Sequence, residues 1–356
     1  MHRTLARAAR TSARRRPAVL AAALVAGALV LTACGSSSDA AAEPAAAGST
    51  ADDTFEPVTI TSALGDAVIE HRPERVVTLG QGSAETAIAL GVVPVGVEEY
   101  PWGSDDTGYL PWIYEAVTAE GAELPEQFTG GTEMDIDAVL ELEPDLILAP
   151  WSGITQEQFD LLSDIAPTVA YPDLPWSINW DQQIETVATA LGHADEAQGL
   201  IDGIEQEWSD AAAAHPEYAD VTFSFIYTTG PGTLGVFLPD EQRVAMVRGL
   251  GLTVDPVVST FEETEGTDSA VIGLENADQL AGSDLIFTFY SSDESRAEVL
   301  AQPLYQSIPA IARDSVVAPS DQPFVTGSSI ITPLTVPWSI EEYTALIDDA
   351  LSRVAG

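Results

Sequence analysis

The sequence predicts an α/β protein of two Rossmann-like lobes joined by one long α-helix, and three observations carry that prediction. First, in residues 194–214, Ala197, Leu200, Ile201, Ile204, Trp208 and Ala211 recur at three- and four-residue spacing, which places them on one face of a helix. At ~1.5 Å per residue such a helix is a rod of roughly 30 Å, about the width of a small domain. Second, the stretches on either side resemble each other. Residues 76–97 (VVTLGQGSAETAIALGVVPVGV) and 223–254 (FSFIYTTGPGTLGVFLPDEQRVAMVRGLGLTV) each run from an apolar segment through a glycine-bearing loop and a helix ending in Leu-Gly to a second β-rich run. Third, two more matches follow in the same order on both sides. Asp145-Leu146-Ile147-Leu148 answers Asp284-Leu285-Ile286-Phe287, each behind a helical segment (135–143 and 274–281). Ile165-Ala166-Pro167-Thr168-Val169 then answers Ile311-Ala312-Arg313-Asp314-Ser315-Val316. The boundaries that follow are 1–33, a lipoprotein signal peptide; 34–55, a flexible tether; 56–193, the first lobe; 194–214, the joining helix; and 215–356, the second lobe.

The chain opens with an address. Arg3, Arg7, Arg10, Arg14, Arg15 and Arg16 form a positive region without an acid, residues 18–31 are apolar, and the run ends Leu31-Thr32-Ala33-Cys34. These are the parts of a secretory signal, and the apolar run is short for a membrane span. The ending resembles a bacterial lipobox, in which cleavage falls just before a cysteine that receives lipid. Cys34 is the only cysteine, so no disulfide can form within the chain, and lipidation accounts for the unpaired thiol. Residues 35–54 are small, polar and acidic, a composition that buries no core and suits a tether. The expected location is the outer face of the cell membrane, held by lipid.

The remainder is strongly acidic. The formal net charge of the whole chain is −43, there is no lysine, and six of the 13 basic residues sit in the signal, so the part after it is more negative still. Like charges repel, which excludes nucleic acid and anionic lipid surfaces as partners. The 46% hydrophobic content and regular apolar runs argue for a folded protein rather than a disordered one.

Taken in order, the first lobe begins with a hairpin signature, apolar runs at 58–61 and 67–70 around Gly65-Asp66. An apolar run at 75–79 leads to Gly80-Gln81-Gly82, which lacks the spacing and the lysine of a phosphate loop and reads as a turn. Ser83 is a fair N-cap for a helix ending at Leu90-Gly91. After a strand at 92–97 comes a loop, 98–112, in which Tyr100, Trp102, Tyr109 and Trp112 sit among Gly, Pro and Asp without helical or strand period. In open α/β sheets ligands bind beyond the carboxyl ends of strands, and this loop leaves such an end. Trp151 follows the strand at 145–149, and the run from Tyr171 to Trp176 follows that at 167–170. A helix at 179–191 closes the lobe. The second lobe offers Tyr227, Thr228 and Thr229, then Tyr290, then residues 320–324 at its strand ends, before a final helix at 339–353 entered through Pro333 and Pro337-Trp338.

With a lipobox, a tether, two lobes and one joining helix, the chain from about residue 56 onward resembles the substrate-binding lipoproteins of ABC importers for iron–siderophore complexes. The segments that carry the resemblance are RPERVVTLGQGSAETAIALGVVPVGV, DIDAVLELEPDLILA, LLSDIAPTVAY, NADQLAGSDLIF and PLTVPWSIEEYTALIDDAL. It implies a ligand cleft between the lobes and an acid on each lobe that docks onto the permease. The matching acid of the first lobe is Glu85. In the second lobe Val247-Arg248 stands where the acid is expected, so Asp240 or Glu241 is the substitute. The resemblance implies a monomeric, non-catalytic receptor that hands a ferric siderophore to a permease. It needs no cofactor, because the iron arrives already chelated. A cobalamin or haem receptor shares the fold and is the alternative.

The residues agree with a receptor. There is no Gly-x-Ser-x-Gly elbow, and His71, His193 and His215 show no ligand or triad spacing along the chain. The expected ligand-binding residues are the aromatics Trp102, Tyr109, Trp112, Trp151, Tyr227, Tyr290 and Trp338. Only seven arginines follow the signal: Arg72, Arg75, Arg243, Arg248, Arg296, Arg313 and Arg353. Of these only Arg243 and Arg248 are expected near a cleft. A multiply charged catecholate complex would favour several convergent cations, whereas a hydroxamate complex needs apolar walls and a few polar groups. A ferric hydroxamate is therefore expected.

Overall fold

The computed structural model describes residues 55–264 and 266–354; the expected signal peptide, Cys34 and the tether through residue 54 lie outside the described residues. The first lobe starts with the expected hairpin, β1 (Val58–Thr61) and β2 (Asp66–Ile69), paired antiparallel with Val58 opposite Ile69. Alternation in β2 buries Ala67 and Ile69. Then follow β3 (Val76–Thr78), α1 (Ser83–Ala89), β4 (Gly96–Glu98), α2 (Pro111–Ala119), β5 (Glu126–Phe128), α3 (Ile136–Glu141), β6 (Leu146–Leu148), α4 (Gln156–Ser163), β7 (Thr168–Val169) and α5 (Trp180–Leu191). The strands form one parallel sheet in the order β5-β4-β3-β6-β7. The strand expected over 92–97 forms only at 96–98, because Pro94 has no N–H to give to a ladder.

After α6 (Ala197–Ala214) the second lobe runs β8 (Thr222–Tyr227), β9 (Gly235–Phe237), α7 (Gln242–Gly249), β10 (Thr253–Val254), β11 (Ser269–Val271), β12 (Leu285–Phe287), α8 (Asp293–Leu300), α9 (Pro309–Ala312), β13 (Val316–Val317), α10 (Gln322–Gly327) and α11 (Thr335–Leu351). The parallel run β10-β8-β12-β13 repeats the run β4-β3-β6-β7 of the first lobe. The matched tetrapeptides do the same work twice. Asp145 accepts the backbone N–H groups of Glu74 and Arg75, both at 2.8 Å, and Asp284 accepts that of Thr222 at 3.0 Å, so each aspartate pins the entry of the central strand beside it. The second lobe departs from the first in an added antiparallel pair, β9 with β11, and in residues 274–282, which wind as a 3₁₀ rather than an α-helix.

The joining helix starts at Ala197, three residues later than expected, because 194–196 form a turn. Its buried residues Ala197, Ile201, Ile204 and Trp208 belong to the expected face. Trp208 packs edge-on against Trp180 of α5 at 5.4 Å and points its Nε1 at Met246 Sδ of α7, 3.3 Å away, so one core continues from lobe to lobe across the helix. The last helix begins at Thr335, earlier than 339, with Pro337 in the first turn, where a missing N–H costs no helical bond. Its start reaches the first lobe: Trp338 packs edge-on against Trp112 at 5.1 Å. Gly327 makes that approach possible, since a methyl group there would meet both indoles at 2.7 Å. No helix among the described residues is long and apolar enough to cross a membrane.

Candidate functional site

Both sheets place their topological switch beside the central strand, between β3 and β6 in one and between β8 and β12 in the other. Loops leaving the carboxyl ends there are where an open α/β sheet builds a site. Trp151, just beyond β6, meets Trp176 edge-on at 4.7 Å. Facing them across a cavity of about 260 Å³ are Phe237 at the end of β9 and Glu241, Gln242 and Arg243 at the start of α7.

Arg243 is the chemical centre of this cleft. Its guanidinium lies over the rings of Phe237 (4.9 Å) and Phe289 (5.7 Å), a cation–π arrangement. One arm is ion-paired with Glu241, which also caps α7 by accepting the Arg243 backbone N–H at 2.8 Å. Its buried Nε has no hydrogen-bond partner in the protein. Burial pushes the Glu241 carboxyl up, and the adjacent Arg243 pulls it back. Tyr100, from the first lobe, has its phenol raised by burial and partly restored by the field of the same arginine. The first lobe adds Glu98 at the end of β4, half-buried and raised by that burial, whose Oε2 accepts the Gly80 N–H at 2.7 Å.

The expected ligand residues divide. Trp151 lines the cleft, and Trp102 is 39% exposed in the loop before α2. Tyr227 stands behind the cleft wall: its ring packs on Phe237 at 4.7 Å, in space left by Gly235, and its hydroxyl meets Ser269 Oγ at 3.0 Å. Tyr290 lines a separate cavity of about 270 Å³, under the guanidinium of Arg296 at 5.9 Å. Trp112 is not a ligand residue but core, 2% exposed, and Trp338 is held against it where the lobes meet. Tyr109 gives its hydroxyl to Pro125 O at 2.9 Å and secures its own loop.

The docking acids are corrected by burial. Glu85 is 1% exposed; its oxygens accept Gly82 N–H at 2.8 Å and Trp112 Nε1–H at 2.9 Å, and burial raises its carboxyl. An enclosed carboxylate closes the start of α1 and presents nothing to a partner. Glu241 is turned toward Arg243 in the cleft. Of the three expected acids only Asp240 is at the surface, 3.6 Å from Arg248.

Arg296, placed away from the cleft by the sequence reading, sits at the carboxyl end of the second sheet beside Tyr290. Trp176, Phe237 and Phe289 were missed, although the 171–176 run already pointed to the first of them. The histidines also differ from expectation. His215 Nδ1 lies 3.6 Å from Glu217 and 3.4 Å from Asp348, a grouping that chain distance hid. Asp348 accepts the Tyr218 hydroxyl at 2.8 Å, so this cluster ties the end of α6 to α11.

Comparison with known proteins gives the same picture. A profile described as "Periplasmic binding protein" matches residues 76–322. The probable siderophore-binding lipoprotein YfiY of Bacillus subtilis is 30% identical over 218 residues, 61% of this chain and 58% of YfiY. The ferric enterobactin-binding periplasmic protein FepB of Escherichia coli is 24% identical over 75% of this chain and 85% of FepB. Among solved structures, PiaA of Streptococcus pneumoniae in complex with ferrichrome superimposes with a TM-score of 0.75 at 30% identity, covering 83% of this chain and 99% of PiaA.

Proposed function

Because the chain belongs to the periplasmic binding protein family, whose members bind solutes and are not enzymes, we propose that it captures a ferric siderophore between its lobes and delivers it to an ABC importer. Cys34 would carry the lipid that holds it at the extracytoplasmic face of the membrane. The protein contributes no cofactor, since the siderophore satisfies the iron.

The observation that carries the ligand class is the state of Arg243. The one arginine of the aromatic cleft already shares its charge with Glu241, and Asp240 and Asp268 stand around it. Arg296 adds one cation, outside that cavity. Burying a multiply charged ferric catecholate against this set would leave charge unmatched, which is costly. A neutral ferric hydroxamate asks for aromatic walls and a few donors, and Trp151, Trp176, Phe237 and Arg243 supply both. The likeness to PiaA, whose solved complex holds ferrichrome, a hydroxamate, supports this choice.

The experiment is a calorimetric titration of the purified protein with ferrichrome, ferric ferrioxamine B, ferric enterobactin, cyanocobalamin and haem at one ionic strength. Hydroxamate binding in preference to the other three is the expected result. Tight binding of enterobactin alone would overturn the charge argument, and binding of cobalamin or haem alone would overturn the siderophore reading. Membrane fractionation of a Cys34→Ala variant tests the anchor: release from the membrane, or failure of processing, is expected.

A further inference from the structure

A second cavity opens beside the cleft. It has a volume of about 650 Å³ and lies wholly on the first lobe, between α4 and the segment 131–136 that leads into α3. Trp176 lines both this groove and the interlobe cavity, so its indole is the wall that they share. The position of that indole is not a default of the chain. Trp176 has φ 64°, a left-handed conformation that strains a bulky residue. Its N–H donates to Ser152 O at 3.2 Å, and its ring lies so close over Gly153 that a Cβ there would meet it at 2.6 Å. The ring is nonetheless 50% exposed. A large aromatic held in a strained backbone, set on a glycine and left half in solvent is positioned for contact with something other than its own lobe.

The chemistry of the groove is one-sided. Met134, Ile154 and Leu161 supply apolar walls, Glu98 and Glu157 supply carboxylates, and no arginine lines it. Glu98 is fixed by the backbone N–H groups of Gly80 and of Gly131, which also lines the groove, so its charge is aimed rather than mobile. Such a channel repels a carboxylate and favours a flexible aliphatic arm that ends in a cation.

We propose that this groove, walled by Trp176 and carrying Glu98, is a subsite for an ammonium-terminated arm of the siderophore, so that the receptor selects ferric hydroxamates with a pendant primary amine. The inference rests on the siderophore reading above and adds to it a specificity residue, Glu98, that acts on a part of the ligand remote from the iron. A charge-assisted hydrogen bond to Glu98 would make the amine-bearing ligand bind about tenfold more tightly than the same ligand with the charge removed.

The test compares ferric ferrioxamine B with its N-acetylated form, which keeps the iron chelate and loses only the ammonium. Both are titrated calorimetrically into the wild-type chain and into Glu98→Gln and Leu161→Arg variants. Glu98→Gln keeps an oxygen for the Gly80 N–H while removing the charge. Leu161, 47% exposed at the lip of the groove, accepts an arginine without disturbing the core. The expected result is a preference of about tenfold for the amine form in the wild type, abolished in Glu98→Gln and reversed in Leu161→Arg, with the acetylated ligand bound alike by all three. Equal binding of the two ligands by the wild type, or a preference that survives both substitutions, overturns the groove and leaves the siderophore reading standing. Failure of the wild type to bind either form overturns the groove, and failure to bind ferrichrome as well overturns the hydroxamate reading.

Discussion

Replacing Glu85 by alanine separates a buried clamp from a docking acid. In the fold its carboxylate, 1% exposed, is the acceptor for two enclosed donors, the Gly82 N–H at 2.8 Å and the Trp112 indole at 2.9 Å. Alanine leaves both unsatisfied, at about 1–3 kcal/mol each. Relief of the cost of burying a carboxylate offsets part of this, because burial is the first cause of its raised pKa. A net loss of about 2–4 kcal/mol follows. For a protein of this size that corresponds to a fall in Tm of roughly 5–10 °C. The assay is thermal unfolding followed by differential scanning calorimetry. Trp112→Phe is measured alongside, together with the double variant. Because the two residues share one hydrogen bond, their effects should be less than additive. An exposed docking acid would change stability by less than about 0.5 kcal/mol, so a Glu85→Ala protein as stable as the parent would refute the clamp.

Three further outcomes are expected. Arg243→Ala should weaken hydroxamate binding at least tenfold, and Glu241→Ala should raise the affinity of an anionic ferric complex by releasing the arginine; calorimetric titration of both variants reads this. Burial raises the carboxyls of Glu85, Glu98 and Glu241, so the folded state holds those protons more firmly than the unfolded one does. Their contribution to stability is therefore complete below the ordinary glutamate value of 4.5 and is lost as pH rises through the raised values, so Tm should be higher at pH 5 than at pH 7.5. A lower Tm at pH 5 would contradict the assignment. Gly327→Ala should drive Trp112 and Trp338 apart, costing about 1–3 kcal/mol and giving a larger radius of gyration by small-angle X-ray scattering.

The fold was legible where pattern repeats. The doubled Asp-Leu-Ile runs became β6 and β12, and the face of Ile201, Ile204 and Trp208 became the buried side of α6. Shorter features were lost to local chemistry, as at Pro94, which delays β4, and Pro337, which permits α11 to begin early. The site was half legible. That aromatics beyond strand ends line a cleft held for Trp151, but sequence position does not reveal which way a ring turns. Trp102 and Trp112 belong to the same aromatic run, but Trp112 stands in the first turn of α2, where packing on Trp338 and a hydrogen bond to Glu85 hold it in the core. Arg243 was expected near the cleft, but its ion pair with Glu241 and its stacking on Phe237 were not. Its place in the first turn of α7, beside a strand absent from the other lobe, could not be read from periodicity.

The tryptophans have an optical consequence. Six of the seven stand as three edge-to-face pairs, at 4.7 Å in the cleft, 5.1 Å where the lobes meet and 5.4 Å along the joining helix. Trp102 pairs with no other indole among the described residues and is 39% exposed. Two indoles at these separations share their excited states, so the near-ultraviolet circular dichroism of the protein is a sum of three coupled signals from three mechanically distinct places. A ligand that only fills the cleft perturbs the first signal, whereas a movement of one lobe against the other has to pass through the second and third. Phenylalanine substituted for one member of each pair would assign the signals. The unlabelled chain would then show occupancy and lobe motion as separate events in one spectrum.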